Sequence, residues 1–116
     1  MFKKLRTVIY HVDDIDAAKK WYVEATGIQP YFDEPFYVGF DINGCELGLD
    51  PDLTQIKSRG NCTVSYWQVD NVAVAIEKLK FIGATVVQPK TNVGGEIEVA
   101  IMADPFGNHI GLIEGA

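Results

Sequence analysis

Cysteine is scarce in this chain: there are two, Cys45 and Cys62. They lack the paired spacing of a zinc site, and two alone make no disulfide framework, so both are expected as reduced thiols. Positive charge is scarce as well. Ten Lys and Arg stand against 16 Asp and Glu, a formal net charge of −6, which leaves no basic stripe of the kind a nucleic acid requires. No long hydrophobic run occurs either. The apolar segment VIYHV near the start is cut short by Asp13, Asp14 and Asp16, well below the length of a secretory core or a membrane span. These absences point to a cytoplasmic protein that binds neither nucleic acid nor membrane. In that setting the Asn61-Cys62-Thr63 triplet carries no meaning as a glycosylation signal.

What is present is an ordinary globular composition, 47% hydrophobic and 22% charged over 116 residues, enough for one folded domain with a sizeable core. The chain also repeats itself. RTVIYHVDDIDAAKKWYVEATGI, from Arg6, aligns with CTVSYWQVDNVAVAIEKLKFIGA, from Cys62, when Val12-Asp13-Asp14-Ile15 is laid on Val69-Asp70-Asn71-Val72. GCELGLD, Gly44 to Asp50, then aligns with GNHIGLI, Gly107 to Ile113. One supersecondary unit is used twice. The spacing predicts modules over about 1–50 and 61–116, joined by a polar connector at 51–60.

Each module reads as strand, helix and three strands. In the first, Asp14 is placed to cap a helix whose apolar stripe is Ala18, Trp21, Tyr22 and Ala25, stopped by Gly27. In the second, Asn71 caps, Val72, Ile76 and Leu79 form the stripe, and Gly83 ends it. The later strands are YFDEP, FYVGFDI and CELGLD, then ATVVQ, EIEVAIM and HIGLI. The fold class is therefore α+β: two βαβββ modules building a cupped mixed β-sheet with helices on its outer face.

Strand alternation assigns faces. The helix side should hold Val8, Tyr10, Val12, Cys45, Leu47 and Leu49, then Trp67, Val69, Val99, Ile101, Ile110 and Leu112. The opposite face should carry Thr7, Ile9, His11, Tyr37, Glu46 and Gly48, then Val64, Tyr66, Gln68, Glu98, Ala100, Met102, His109 and Gly111. That mixed polar and aromatic face has the character of a ligand cavity, with Tyr37 and Tyr66 as the residues best suited to stack on a ligand. Gly48 and Gly111 are twins in the repeat. A glycine inside a strand marks either added room on that face or a bulge, and both readings stand at this point.

The Val-Asp-Asp turn before a helix carrying Trp21-Tyr22 and ending in Thr26-Gly27-Ile28, the paired βαβββ units, and the Asp104-Pro105-Phe106-Gly107-Asn108 turn before the last strand resemble the vicinal oxygen chelate superfamily. This is the group of glyoxalases, extradiol dioxygenases and bleomycin-resistance proteins, and the resemblance runs over essentially the whole chain. It implies dimers, formed with modules paired within one chain or exchanged between two. It also implies a divalent metal held by His, Gln or Glu from symmetric strand positions, which by motif are Thr7, Gly48, Val64 and Gly111. None of these four supplies imidazole or carboxylate, so the expectation is a protein without a metal or other cofactor.

His11, Glu46, Glu98 and His109 share the expected cavity face. They are open to three readings: a relocated metal cluster, satisfied polar pairs, or a metal-free site with Glu98 or His109 as general base. The first functional expectation is a metal-free protein of the glyoxalase/bleomycin-resistance type that sequesters an aromatic or cationic small molecule and performs no chemistry. The alternative is a glyoxalase- or dioxygenase-like enzyme with a relocated metal or an acid–base mechanism. Cys45 is expected in packing, and Cys62, at a strand start, as an ordinary thiol.

Overall fold

The computed structural model describes residues 1–54 and 64–115. Cys62, the sequon around it and most of the expected connector lie outside the described residues. The chain divides into two compact units, Met1–Arg59 and Gly60–Ala116. Each contains one helix and a four-stranded mixed sheet, in the α+β arrangement expected from the repeat.

In the first unit, β1 (Thr7–His11) leads into α1 (Ile15–Thr26), followed by β2 (Phe32–Glu34), β3 (Tyr37–Ile42) and β4 (Cys45–Asp50). The sheet order is β1-β4-β3-β2, with β1 parallel to β4 and the remaining pairs antiparallel. The Asp14 side chain accepts the Ala17 N–H at 3.0 Å, and Gly27, at φ 71°, returns its N–H to the Val23 carbonyl. Both ends of the helix are thus satisfied by the residues that the sequence assigns to them. Asn43 and Gly44, both at positive φ, turn β3 into β4, which is the backbone that a tight two-residue hairpin needs. The core is Tyr10, Val12, Ala18, Trp21, Tyr22, Val38, Phe40, Leu47 and Leu49. Ala25 departs from the expected stripe and is exposed, because a helix lying on one sheet buries a narrower arc than its apolar residues span.

In the second unit, β5 (Ser65–Gln68), α2 (Val72–Phe81), β6 (Thr85–Gly94), β7 (Ile97–Ala103) and β8 (His109–Glu114) repeat the topology, in the order β5-β8-β7-β6. The sequence indicates β6 only as ATVVQ. It runs six residues further, to Gly94 and past Pro89, as an exposed edge strand whose pairing with β7 slips at three places. An edge strand tolerates the missing N–H of proline. Trp67 lies on the helix side as expected, opposite Leu112; its indole Nε1 is buried without a hydrogen-bond partner among the described residues, and no neighbouring group explains this.

Two side chains hold the start of α2. Asn71 accepts the Val74 N–H at 3.0 Å, and Glu114, from the far end of β8, accepts the Val72 N–H at 2.7 Å. A carboxylate here satisfies an orphan donor and faces the positive end of the helix dipole. Glu114→Ala should cost about 1 kcal/mol. Urea unfolding would show it, and an unchanged midpoint would mean that water caps Val72 equally well.

No helix among the described residues is long and apolar enough to cross a membrane.

Candidate functional site

Each sheet has a face turned away from its helix. In the first unit, register places Thr7 opposite Glu46, Ile9 opposite Gly48, His11 opposite Asp50, and Gly39 opposite both Gly48 and Phe32. Thr7, Ile9, His11, Tyr37, Glu46 and Gly48 therefore share this open face, as alternation predicts. In the second unit, Tyr66 pairs with Gly111 and Gln68 with Ile113, so Tyr66, Gln68, His109 and Gly111 share a face too, with Val64 just before β5.

Three expected residues are on the wrong side. Met102 pairs with Ile110, Ala100 with Leu112, and Glu98 with Glu114, which puts Glu98, Ala100 and Met102 on the helix side. Val99 and Ile101 take the open face instead. β7 is apolar on both faces through Val99, Ala100, Ile101 and Met102, so its pattern carries no sign, and a one-residue choice inverts the whole strand. Glu98 accepts a hydrogen bond from Asn92 at 3.3 Å. On opposite faces of one sheet, Glu98 and His109 form no acid–base pair.

The chemistry of the first unit gathers on Glu46. Its Oε1 accepts from the Thr7 hydroxyl at 3.1 Å and from the Tyr37 phenol at 3.0 Å, while Oε2 accepts from the Tyr31 phenol. The Arg6 guanidinium donates to the Thr7 hydroxyl at 2.9 Å. Further aromatic rings continue outward from Tyr37: Phe32 lies 6.1 Å from Tyr37 and 6.0 Å from Phe36, centroid to centroid. Tyr31 and Phe36 are 61% and 65% exposed, so the cluster presents ring faces to solvent.

The strand glycines answer to these rings. A methyl carbon on Gly48 would overlap the Tyr37 hydroxyl and lie 2.6 Å from its Cζ; one on Gly111 would lie 2.6 Å from Cδ1 of Tyr66; one on Gly39 would lie 2.8 Å from Glu46 Oε2. Pairing continues without a shift through Gly48 and Gly111, so neither marks a bulge. The room they leave is filled by tyrosine. Gly48 lets the Tyr37 phenol cross β4 to reach Glu46, and Gly39 lets Glu46 and Tyr31 meet.

Hydrogen bonding sets the protonation states. The bond from Tyr31 first, then those from Tyr37 and Thr7 with the nearby Arg6 charge, hold the Glu46 carboxyl below its ordinary value, against partial burial that acts the other way. Burial and the bond to Glu46 push the Tyr37 phenol up to about 12, and the same carboxylate raises Tyr31. Glu46 is therefore an anion and both phenols are donors at neutral pH, a poor arrangement for a general base.

The signs give a pH test. A lowered carboxyl contributes stability that is complete above its unfolded value and is lost as pH falls through the folded one. A raised phenol contributes stability that is complete below its unfolded value and is lost as pH rises towards 12. The stability difference between the native chain and Glu46→Gln should be flat from about pH 5 to about pH 9 and shrink outside that window. A difference that grew on acidification would contradict the network.

His11 is tied elsewhere. Its Nδ1 lies 2.7 Å from the Asp52 carbonyl, which can only accept, so Nδ1 carries the proton. The Asp52 carboxyl is held below its usual value by the hydroxyl and amide of Thr54, with a smaller contribution from His11. Glu46 and His11 thus serve different partners. Within each unit, among the described residues, no three of His, Cys, Asp and Glu gather as a metal-ion site.

The positions at which the resemblance places metal ligands do not fit a divalent ion. The Thr7 hydroxyl is spent on Glu46, Gly48 and Gly111 lie beneath tyrosine rings, and Val64 offers only carbon. Tyr31, Phe32, Phe36, Arg6 and Gly39 are absent from the sequence-derived site. Gly39 carried a signal, being a third strand glycine with the parity of Tyr37; Tyr31 and Phe36 open the expected strands YFDEP and FYVGFDI, but the structure leaves both just outside β2 and β3, where alternation assigns no face.

The Glyoxalase/Bleomycin resistance protein/Dioxygenase superfamily model matches residues 4–112. Among solved structures, the chain is similar to a glyoxalase-related enzyme from Fulvimarina pelagi, at 18% identity and TM-score 0.81, over 98% of this chain and 89% of that one. It is also similar to a glyoxalase/bleomycin resistance protein/dioxygenase family enzyme from Burkholderia phytofirmans PsJN, at 21% identity and TM-score 0.77, over 97% and 98% of the two chains. A lactoylglutathione lyase from Agrobacterium tumefaciens matches at 17% identity and TM-score 0.74, over 97% and 93%. Identities this low show a shared fold alone. No curated protein matches the chain.

Proposed function

The chain belongs to the Glyoxalase/Bleomycin resistance protein/Dioxygenase superfamily, and on that premise we propose that it is a small-molecule-binding protein that works without a metal, sequestering an aromatic, cationic ligand on the open face of its first sheet. The observation that carries this reading is the Glu46 carboxylate, kept charged by three hydroxyls and flanked by the rings of Tyr31 and Tyr37, from which Phe32 and then Phe36 continue the aromatic surface. A fixed anion beside exposed π faces recognises a cation joined to a flat apolar body. The misfit of Thr7, Gly48, Val64 and Gly111 to a divalent ion supports the metal-free part.

The expected strength is modest. For a probe of roughly nine heavy atoms, about 0.5 kcal/mol per atom gives a Kd of about 1 mM, with larger ligands binding more tightly. Amide chemical shifts of the intact chain, titrated with aromatic cations, anions and neutral compounds, test the reading. Shifts at residues 31–48 from cations alone are expected. Equal response to anions, or turnover appearing once the protein is loaded with a divalent metal, would sink it.

A further inference from the structure

Building on that reading, we propose that the cation accepted at Glu46 is a single-point N–H donor, an ammonium carried on an aromatic body, and that the forked guanidinium or amidinium group is rejected.

A carboxylate offers about four lone-pair directions. Thr7 and Tyr37 take both on Oε1, and Tyr31 takes one on Oε2. One direction remains, on Oε2. A guanidinium binds a carboxylate best through two parallel N–H bonds, one to each oxygen, and its second arm would meet an Oε1 already filled. An ammonium needs only the direction that is left.

The three hydroxyls are not readily displaced. Thr7 is fixed by its place opposite Glu46 in the parallel pair. Tyr37 lies in the groove above Gly48. Tyr31 is anchored by its own N–H to the Gly39 carbonyl at 2.9 Å. The protein's own guanidinium makes no fork on this carboxylate: Arg6, next to the site, donates to the Thr7 hydroxyl and makes no ion pair with Glu46. Its charge opposes a second cation and should weaken the ligand.

The experiment is calorimetric titration of the intact chain, near pH 7 and at low salt, with 2-phenylethylamine, the matching phenylethylguanidine and neutral 2-phenylethanol. The amine should bind about tenfold more tightly than either of the others. Glu46→Gln should erase its advantage over the alcohol. Tyr37→Phe frees a direction on Oε1, so the guanidine should gain until the two cations lie within about threefold. Arg6→Gln should strengthen the amine by about threefold. Tyr37→Phe and Arg6→Gln both predict gains, so a variant that merely misfolds cannot imitate them.

A guanidine that binds the native chain as tightly as the amine, with Glu46→Gln weakening both, overturns this inference and leaves the small-molecule reading standing. Equal binding of the alcohol overturns the choice of a cation. No binding by any of the three overturns both.

Discussion

Asp104→Ala should lower the stability of the chain by about 3 kcal/mol, more than any other single truncation of a polar side chain outside the Glu46 cluster. Asp104 opens the Asp-Pro-Phe-Gly-Asn turn and is 5% exposed, the one buried charged residue among those described. Its Oδ1 accepts the N–H groups of Phe106 at 2.9 Å and Asn108 at 2.7 Å, and its Oδ2 accepts from the Asn108 amide at 3.1 Å. The backbone closes the same loop, with the Asp104 N–H on the Asn108 carbonyl at 2.8 Å. Alanine would leave two backbone donors stranded in a half-buried turn, and each charge-assisted bond is worth about 1.5–3 kcal/mol. At about 5 °C per kcal/mol for a chain of this size, the midpoint should fall by roughly 15 °C.

Asp104→Asn separates charge from geometry. The amide oxygen still accepts both backbone N–H groups, but its nitrogen faces the Asn108 nitrogen, so a loss of about 1 kcal/mol is expected. Thermal and urea unfolding of the two variants are sufficient. If alanine costs less than about 1 kcal/mol, the turn is held by its backbone and Pro105 alone.

Gly48→Ala should cost about 2 kcal/mol, an overpacking penalty together with the lost bond between Tyr37 and Glu46. The added methyl overlaps the Tyr37 hydroxyl, so the phenol must leave Glu46. The control is the same change in a Tyr37→Ala chain. There the obstacle is gone, and alanine in place of glycine within a strand should be neutral or stabilising by about 0.5 kcal/mol. A coupling of about 2 kcal/mol between the two positions is therefore expected. If the cost were the same in both backgrounds, the glycine would serve the backbone and not the ring. Gly111→Ala should cost less, about 1 kcal/mol. Tyr66 is 49% exposed and makes no hydrogen bond to a carboxylate among the described residues, so its ring can swing into solvent, although the crowding extends to Cγ at its root.

The Gly48 experiment bears on the site as well as on stability. Gly48 is where the family resemblance expects a metal ligand, and here the place is taken by a phenol hydrogen-bonded to a carboxylate. The same substitution that crowds Tyr37 should also blunt the choice between ammonium and guanidinium, because it frees a lone-pair direction on Glu46.

Much of this was legible in the sequence. The duplicated Val-Asp turn and the GCELGLD and GNHIGLI pair mark two copies of one unit, and the family model and the solved structures agree with the fold that they imply. Asp14, Asn71, Gly27 and the helix stripes are local signals, because a cap or a 3.6-residue period is written within a few neighbouring positions. The open face of the first sheet was legible as well, since β1 and β4 alternate cleanly.

The rest depends on which residues lie opposite one another. β7 is apolar on both faces, so only its pairing with β8 decides that Met102 and Glu98 face the helix side and Val99 and Ile101 do not. Glu46 meets Thr7 from 39 positions away, Tyr31 from 15 and Tyr37 from 9, and no pattern in the chain announces that convergence. The elements, their duplication and their caps are written along the chain, because these follow from periodicities and contacts between near neighbours. What the glycines are for, and which hydroxyls a single carboxylate holds, emerges only on folding, because strand register brings distant residues to one point.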